Sequence, residues 1–180
     1  MSGRFIAVVG PSGVGKDSVM RAMAAAAPRL HLVRRVITRP ADAGGEAFEG
    51  VDAQTFEARR AAGDFALSWD AHGLRYGIPA GVDAALARGQ DLLANLSRAA
   101  LPTAHRRFPG FRVIALHADQ DVLAARLASR GREDAAQIGR RLARADFALP
   151  EGIEALHLDN SGPLETTVRR ALDALYPVRA

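Results

Sequence analysis

The stretch "FIAVVGPSGVGKDSV", residues 5 to 19, constrains the fold of this chain more than any other. Its first five residues, Phe5 to Val9, are apolar without alternation, the pattern of a strand buried on both faces of a parallel sheet. Gly10 to Lys16 then fit G-x-x-x-x-G-K, and an Ala-, Met- and Val-rich segment of helical period follows. A buried strand, a glycine-rich turn and a helix in that order place backbone N–H groups and a helix N-terminus around one point, which suits a phosphate. Chemistry therefore collects at the carboxyl ends of the strands, where open α/β sheets bind ligands.

Lys16 is the only lysine in the chain. Of the 24 Lys and Arg residues the other 23 are arginine, so a composition that writes its cations as guanidinium keeps an ammonium here. The compact ammonium on its flexible stem can bridge β- and γ-phosphates, and a planar guanidinium is bulkier and fixed in its fork. Gly10, Pro11, Ser12, Gly13, Val14, Gly15, Lys16, Asp17 and Ser18 are the expected nucleotide-binding set. Asp17 stands where a hydroxyl residue usually follows the lysine. It can serve Mg²⁺ through its carboxylate or a water, with Ser18 beside it, so both are candidate metal residues, and Ser18 is also placed to bond the α-phosphate. The substitution leans toward a kinase of small phosphorylated metabolites and away from a GTPase switch.

Apolar β-branched runs alternate with helical segments along the chain. Strands are expected at Phe5–Val9, Leu32–Ile37, Asp91–Asn95, Arg112–His117 and Ala155–Leu158. Helices are expected at Gly15–Ala26, Ala53–Ala62, Val82–Ala87, Arg98–Arg107, Gln120–Ser129, Ala135–Phe147 and Leu164–Leu175. This alternation predicts an α/β protein, a P-loop NTPase three-layer fold with a parallel five-stranded sheet. Residues 38–81 break the rhythm with Gly, Pro, Asp and aromatic residues and one clear helix, and read as an inserted substrate-binding lobe. The core then comprises 1–37 and 82–180. "RGRED", residues 130 to 134, reads as the start of a short lid over about 130–137.

At 180 residues, 48% hydrophobic and 24% charged, the chain has the composition of one soluble globular domain. It has no cysteine, which excludes disulfides and thiol chemistry. The first residues hold an apolar run too short for a signal peptide or a membrane span, so the cytoplasm is the expected compartment. The net charge of +4 suits anionic partners, but the few aromatics are not interleaved with a basic stripe. No nucleic acid and no membrane partner is expected, and monomer or homodimer is left open.

The candidate acceptor-side residues are Arg35 and Arg39 in "RRVITRP", Tyr76 in "HGLRYG", and Asn95, Ser97 and Arg98 in "NLSR". An arginine just past a strand end can clamp a phosphate bidentately, and a phenol can join it. With "GGE", residues 44 to 46, and "FALSWDAHGLRYGIP", 65 to 79, these stretches resemble the guanylate kinase family over nearly the whole chain. That resemblance implies a nucleotide core, an acceptor lobe and a lid. It fails where that family reads guanine, because Leu67 and Ser97 stand in place of carboxylates. A second arginine is missing from "TRPADAGGE" as well.

Those departures, with "GPSGVGKDS", "NLSR" and "RGRE", resemble the ribose 1,5-bisphosphate phosphokinases, from which the chain departs at Phe48–Glu49, where a histidine is expected nearby. The resemblance implies ATP and Mg²⁺, and a phosphorylated sugar as partner: ribose 1,5-bisphosphate, converted to 5-phospho-α-D-ribose 1-diphosphate in connection with phosphonate catabolism. Lys16, Arg39, Arg130, Arg132 and Arg141 are then the expected catalytic cations, with Arg140 a further candidate, and Asn160 and Ser161 are expected to flank adenine. A nucleoside monophosphate kinase with altered base choice is the alternative. A non-catalytic scaffold of the guanylate kinase type is disfavoured by the intact phosphate loop.

Overall fold

The computed structural model describes residues 2–40, 46–129 and 148–177. Its main sheet has five strands: β1 (Phe5–Val9), β2 (Leu30–Leu32), β7 (Asp91–Asn95), β8 (Arg112–His117) and β9 (Leu156–Asp159), in the order β2-β7-β1-β8-β9. Every pairing in it is parallel. Side chains alternate strictly between the faces. Phe5, Ala7 and Val9 pack with Leu92, Ala94, Val113 and Ala115 on one face. Ile6 and Val8 pack with Leu93, Ile114, Leu116 and Leu158 on the other. A strand apolar at every position therefore needs cover on both sides.

The second face is covered by α1 (Lys16–Ala26), α5 (Gln120–Ser129) and α6 (Leu164–Leu175), through Val19, Met23, Leu123, Val168 and Ala171. The first face is covered by α3 (Val82–Ala87) and α4 (Leu101–Arg107), with Phe108 stacked on Phe5 at 4.1 Å between ring centroids. These are the three layers that the alternation implied.

Between β2 and β7 the chain builds a second sheet from β3 (Val36–Ile37), β4 (Glu49–Gly50), β5 (Phe65–Ala71) and β6 (Leu74–Pro79), in the order β4-β3-β6-β5. Helix α2 (Ala53–Ala61) joins β4 to β5, and Asp52 caps it by accepting from the Thr55 N–H at 2.6 Å. His72 (φ 53°) and Gly73 (φ 75°) make the two-residue turn between β5 and β6, a geometry that needs left-handed backbone at both positions. Leu67, Trp69 and Ile78 from this sheet join the first-face core. The insertion is thus packed onto the main sheet.

Four expectations change. The strand foreseen at Leu32–Ile37 is two short strands in different sheets. The main-sheet ladder ends as Val33 donates to the Leu93 carbonyl, Arg34 and Arg35 interrupt the apolar run, and Val36 starts afresh opposite Gly77. The 38–81 segment holds strands as well as a helix. The helix foreseen at Arg98–Arg107 begins as a 3₁₀ turn, Arg98–Ala100, and becomes α-helical at Leu101. Pro102 then occupies the first turn, where its missing N–H costs nothing. The last strand lies one residue later than Ala155–Leu158. The expected helix over Ala135–Phe147 and the lid over about 130–137 lie outside the described residues.

At the amino end of the sheet a buried carboxylate staples the C-terminal helix to the strands. Asp91 accepts from the backbone N–H of Arg4 at 2.7 Å, from Arg4 Nη2 at 2.7 Å and from the Tyr176 hydroxyl at 2.7 Å. Burial alone would raise the Asp91 pKa, but these bonds overcome it and hold the carboxyl below its usual range. Burial and the same carboxylate push the Tyr176 phenol up to about 12.

Candidate active site

The loop from Gly10 to Gly15 runs from the carboxyl end of β1 to the first turn of α1. Its backbone is tightly enclosed: a Cβ on Gly10 would meet the Leu116 carbonyl at 2.7 Å, and one on Gly15 would meet Asn160 Nδ2 at 2.8 Å. Gly15 also holds φ at 97°, which disfavours any other residue. Lys16 Nζ folds back over the loop and donates to the carbonyls of Gly10 at 2.9 Å and Pro11 at 3.2 Å. The ammonium is thus held above the turn that curls beneath it. Asp17 and Ser18 lie in the first turn of α1, Asp17 half-buried and Ser18 exposed. A carboxylate there is favoured by the helix dipole. This donor set fits a nucleotide polyphosphate: a glycine cradle too close for side chains, one ammonium, and a carboxylate and a hydroxyl with oxygens suited to Mg²⁺.

The sheet register brings the acceptor-side residues to the same end. Val8 pairs with Asn95, and Leu96 donates to the Val8 carbonyl at 3.2 Å, so Asn95, Ser97 and Arg98 follow β7 beside the start of the phosphate loop. Arg98 Nη1 donates to the Ala148 carbonyl at 3.2 Å. Ser97 precedes the 3₁₀ turn, and its hydroxyl makes no capping bond. Ser97 Oγ and Trp69 Nε1 are buried side-chain polar atoms without a hydrogen-bond partner among the described residues.

Arg35, Arg39 and Tyr76 come together on the inserted sheet. The Arg35 guanidinium is buried, bonds through Nε and Nη2 to the Glu46 carboxylate, and lies 5.0 Å from the Tyr76 ring centroid. Tyr76 stacks on Trp69, with centroids 5.3 Å apart and planes 8° from parallel. Arg39 lies over the Phe48 ring at 4.4 Å. Burial raises the Tyr76 pKa against the pull of both guanidiniums. The phenylalanine that departed from expectation thus carries the face of Arg39. The glutamate of "GGE" holds Arg35, so Arg35 reaches the site as a partner of Glu46. A cleft of about 240 Å³ lies between the start of α1, at Asp17 and Met20, and the Val33–Arg34 crossover with Glu46.

Two sequence expectations meet different surroundings. Asn160 is 3% exposed, and its amide is spent inside the protein, donating to the Val14 carbonyl at 2.7 Å and accepting from the Thr167 hydroxyl at 2.7 Å. Its side chain therefore braces the phosphate loop rather than facing a base. Ser161 donates from its N–H and its hydroxyl to Asp159, and these bonds hold that carboxyl below its usual range. Arg130, Arg132, Arg140 and Arg141 lie outside the described residues. Sequence reasoning missed Arg126, whose guanidinium reaches the Val14 carbonyl at 3.2 Å. One arginine in a chain with 23 of them carries no signal of its own.

No family model matches the chain. It is 53% identical over 179 residues to a protein of Ruegeria sp. (strain TM1040) named ribose 1,5-bisphosphate phosphokinase PhnN, covering 99% of this chain and 94% of that one. A protein of the same name from Pseudomonas fluorescens (strain SBW25) is 50% identical over 185 residues, covering 97% and 96%. Among solved structures, a guanylate kinase from Anaplasma phagocytophilum superposes with a TM-score of 0.64 at 17% identity, covering 97% of this chain and 85% of that one. A gluconokinase from Sinorhizobium meliloti 1021 superposes with a TM-score of 0.57 at 21% identity, covering 97% and 91%. Those two likenesses establish the kinase fold. With half or more of its residues shared along nearly its whole length with the two named relatives, the chain belongs to the ribose 1,5-bisphosphate phosphokinase family.

Proposed function

We propose that this protein transfers the γ-phosphoryl group of ATP to the 1-phosphate of ribose 1,5-bisphosphate, giving 5-phospho-α-D-ribose 1-diphosphate and ADP. The observation that carries the proposal is the end-to-end identity to relatives named for this kinase activity. The chemistry of the pocket agrees with it. The acceptor oxygen is already anionic at neutral pH, so the site needs no strong base. Its work is to bring two polyanions together and offset their charge.

Lys16 and the backbone N–H groups of residues 12–15 hold the β- and γ-phosphates. Asp17 and Ser18 are the residues that would hold Mg²⁺, whose chemistry is to neutralise charge on the β- and γ-oxygens. Arg39, supported on Phe48, clamps an acceptor phosphate, and Tyr76 adds its hydroxyl. Asn95, Ser97 and Arg98 face the sugar and its second phosphate. The Ser97 hydroxyl and the Trp69 N–H suit an acceptor rich in hydroxyl oxygens, because each is buried and has no hydrogen-bond partner among the described residues. At Leu67, 5% exposed and packed in the core, there is no group to accept from guanine. Arg130, Arg132 and Arg141 remain the proposed cations over the transferring group. The proposed setting is the cytoplasm, in the use of phosphonates.

The test is ADP release by the purified protein with MgATP and, separately, ribose 1,5-bisphosphate, ribose 5-phosphate and GMP. The sugar bisphosphate is expected to exceed GMP in kcat/KM by about 10² or more, since two missing charge-assisted bonds at ~1.5–3 kcal/mol each allow that. GMP turnover equal to that of the sugar would return the assignment to a nucleotide kinase.

A further inference from the structure

We infer that Asn160 and Arg126 are positioning residues for the nucleotide: together they fix the orientation of the Val14–Gly15 peptide, and so aim the Gly15 N–H at the phosphates. Two donors from different elements converge on one carbonyl oxygen. Asn160 Nδ2, just beyond β9, donates to the Val14 oxygen at 2.7 Å. Arg126 Nη1, on α5, donates to the same oxygen at 3.2 Å, and its Nη2 donates to the Asn160 carbonyl at 2.8 Å. The pair is itself braced. The Thr167 hydroxyl, on α6, donates to Asn160 Oδ1 at 2.7 Å, which fixes which end of the amide faces Val14. The Asn160 N–H donates to the His117 carbonyl at 2.8 Å. Asn160 and Thr167 are 3% and 2% exposed, so water does not compete for these bonds.

A trans peptide is planar, and its C=O and N–H point in opposite directions. Holding the Val14 oxygen toward Asn160 and Arg126 therefore turns the Gly15 N–H the other way, into the concave side of the loop. Gly15 is the residue most free to let this peptide rotate, with φ at 97° and no side chain. The Asn160 amide lies so close beneath it that a Cβ there would sit 2.8 Å from Nδ2. The clamp thus restrains a peptide of the loop that glycine would otherwise leave loose. An amide that must rotate into place on binding gives weaker binding than one already aimed.

This inference rests on the phosphate loop being the ATP site, and the experiment separates the two. MgATP binding and steady-state kinetics are measured for the wild type and for Asn160→Leu, Arg126→Met, Arg126→Lys and Thr167→Val. A wild type with no MgATP-induced thermal shift would overturn the site assignment itself. Given that shift, Asn160→Leu and Arg126→Met are expected to raise the KM for MgATP by about tenfold or more. One bond to a charged ligand is worth about that factor. The KM for the acceptor should stay within about twofold. Arg126→Lys keeps a donor and should recover part of the loss, and Thr167→Val should move the same way by a smaller factor. Arg126 is only half-buried, so its variants keep the test open if Asn160→Leu does not fold. An unchanged MgATP KM in both Arg126→Met and Thr167→Val, or equal changes for both substrates, would overturn the inference.

Discussion

Replacing Ser97 with alanine should move stability and acceptor recognition in opposite directions. A serine ahead of a helical turn usually caps it, and its loss then costs about 0.5–2 kcal/mol. Here that cost is absent. The Ser97 hydroxyl makes no capping bond, and the turn is closed by the backbone, where Ala100 donates to the Ser97 carbonyl at 3.1 Å. The hydroxyl is buried without a partner among the described residues, a state that costs about 1–3 kcal/mol when a polar group is left unmet. Alanine removes that cost and leaves a void smaller than a methyl group. The free protein should gain about 1 kcal/mol, or about 2–4 °C in Tm for a chain of this size. In the complex the hydroxyl loses a sugar oxygen, so the acceptor kcat/KM should fall about five- to tenfold, the worth of one neutral hydrogen bond of about 1–1.5 kcal/mol. The KM for MgATP should not change. Differential scanning calorimetry and initial rates with each substrate varied decide the matter. A lower Tm would show that Ser97 is satisfied in the free protein, and an unchanged acceptor kcat/KM would remove it from the pocket.

Lys16→Arg should keep the fold and lower kcat by about 10² or more, comparable to losing one preorganised donor at a transition state. Its ammonium sits within 2.9 Å and 3.2 Å of two loop carbonyls, a point contact that the wider, flat fork of a guanidinium does not reproduce, so wild-type turnover would refute the geometric account. Asp91→Asn should destabilise by about 2–3 kcal/mol at pH 7, below the ~3–5 kcal/mol of a fully buried broken pair because Arg4 is 26% exposed. Both KM values should hold, because Asp91 lies at the opposite end of β7 from Asn95. Since folding lowers the Asp91 pKa, its contribution is present above the unfolded value of about 3.9 and fades as pH falls through the lower folded value. Urea melts should therefore show a constant gap from about pH 5 to 7 that narrows below pH 4, and a gap that widened in acid would reverse the assignment.

Local chemistry was enough to read the nucleotide half of this protein. The apolar run Phe5–Val9, the spacing of Gly10, Gly15 and Lys16, and the helical period after them encode strand, loop and helix through contacts a few residues apart. The alternation beyond them implies a parallel sheet, while the strand order that sets the ends of β1 and β7 side by side came from the tertiary structure. Leu67 and Ser97 stood out only through the resemblance to the guanylate kinase family, which has carboxylates at those places.

Tertiary structure decided what depends on partners far along the chain. Strand β3 lay inside the apolar run foreseen as one strand over Leu32–Ile37, but its two residues take their bonds from β4 and β6, and no local pattern announced the two residues of β4. Arg35 and Arg39 look alike in "RRVITRP", and only the fold sets one on Glu46 and the other over Phe48. Asn160 and Arg126 stand 146 and 112 residues from the Val14 carbonyl they share. A sequence states which donors a chain owns. Which acceptor each donor meets is fixed by the crossing of β9 and α5 over the loop, and that crossing is a property of the packed sheet.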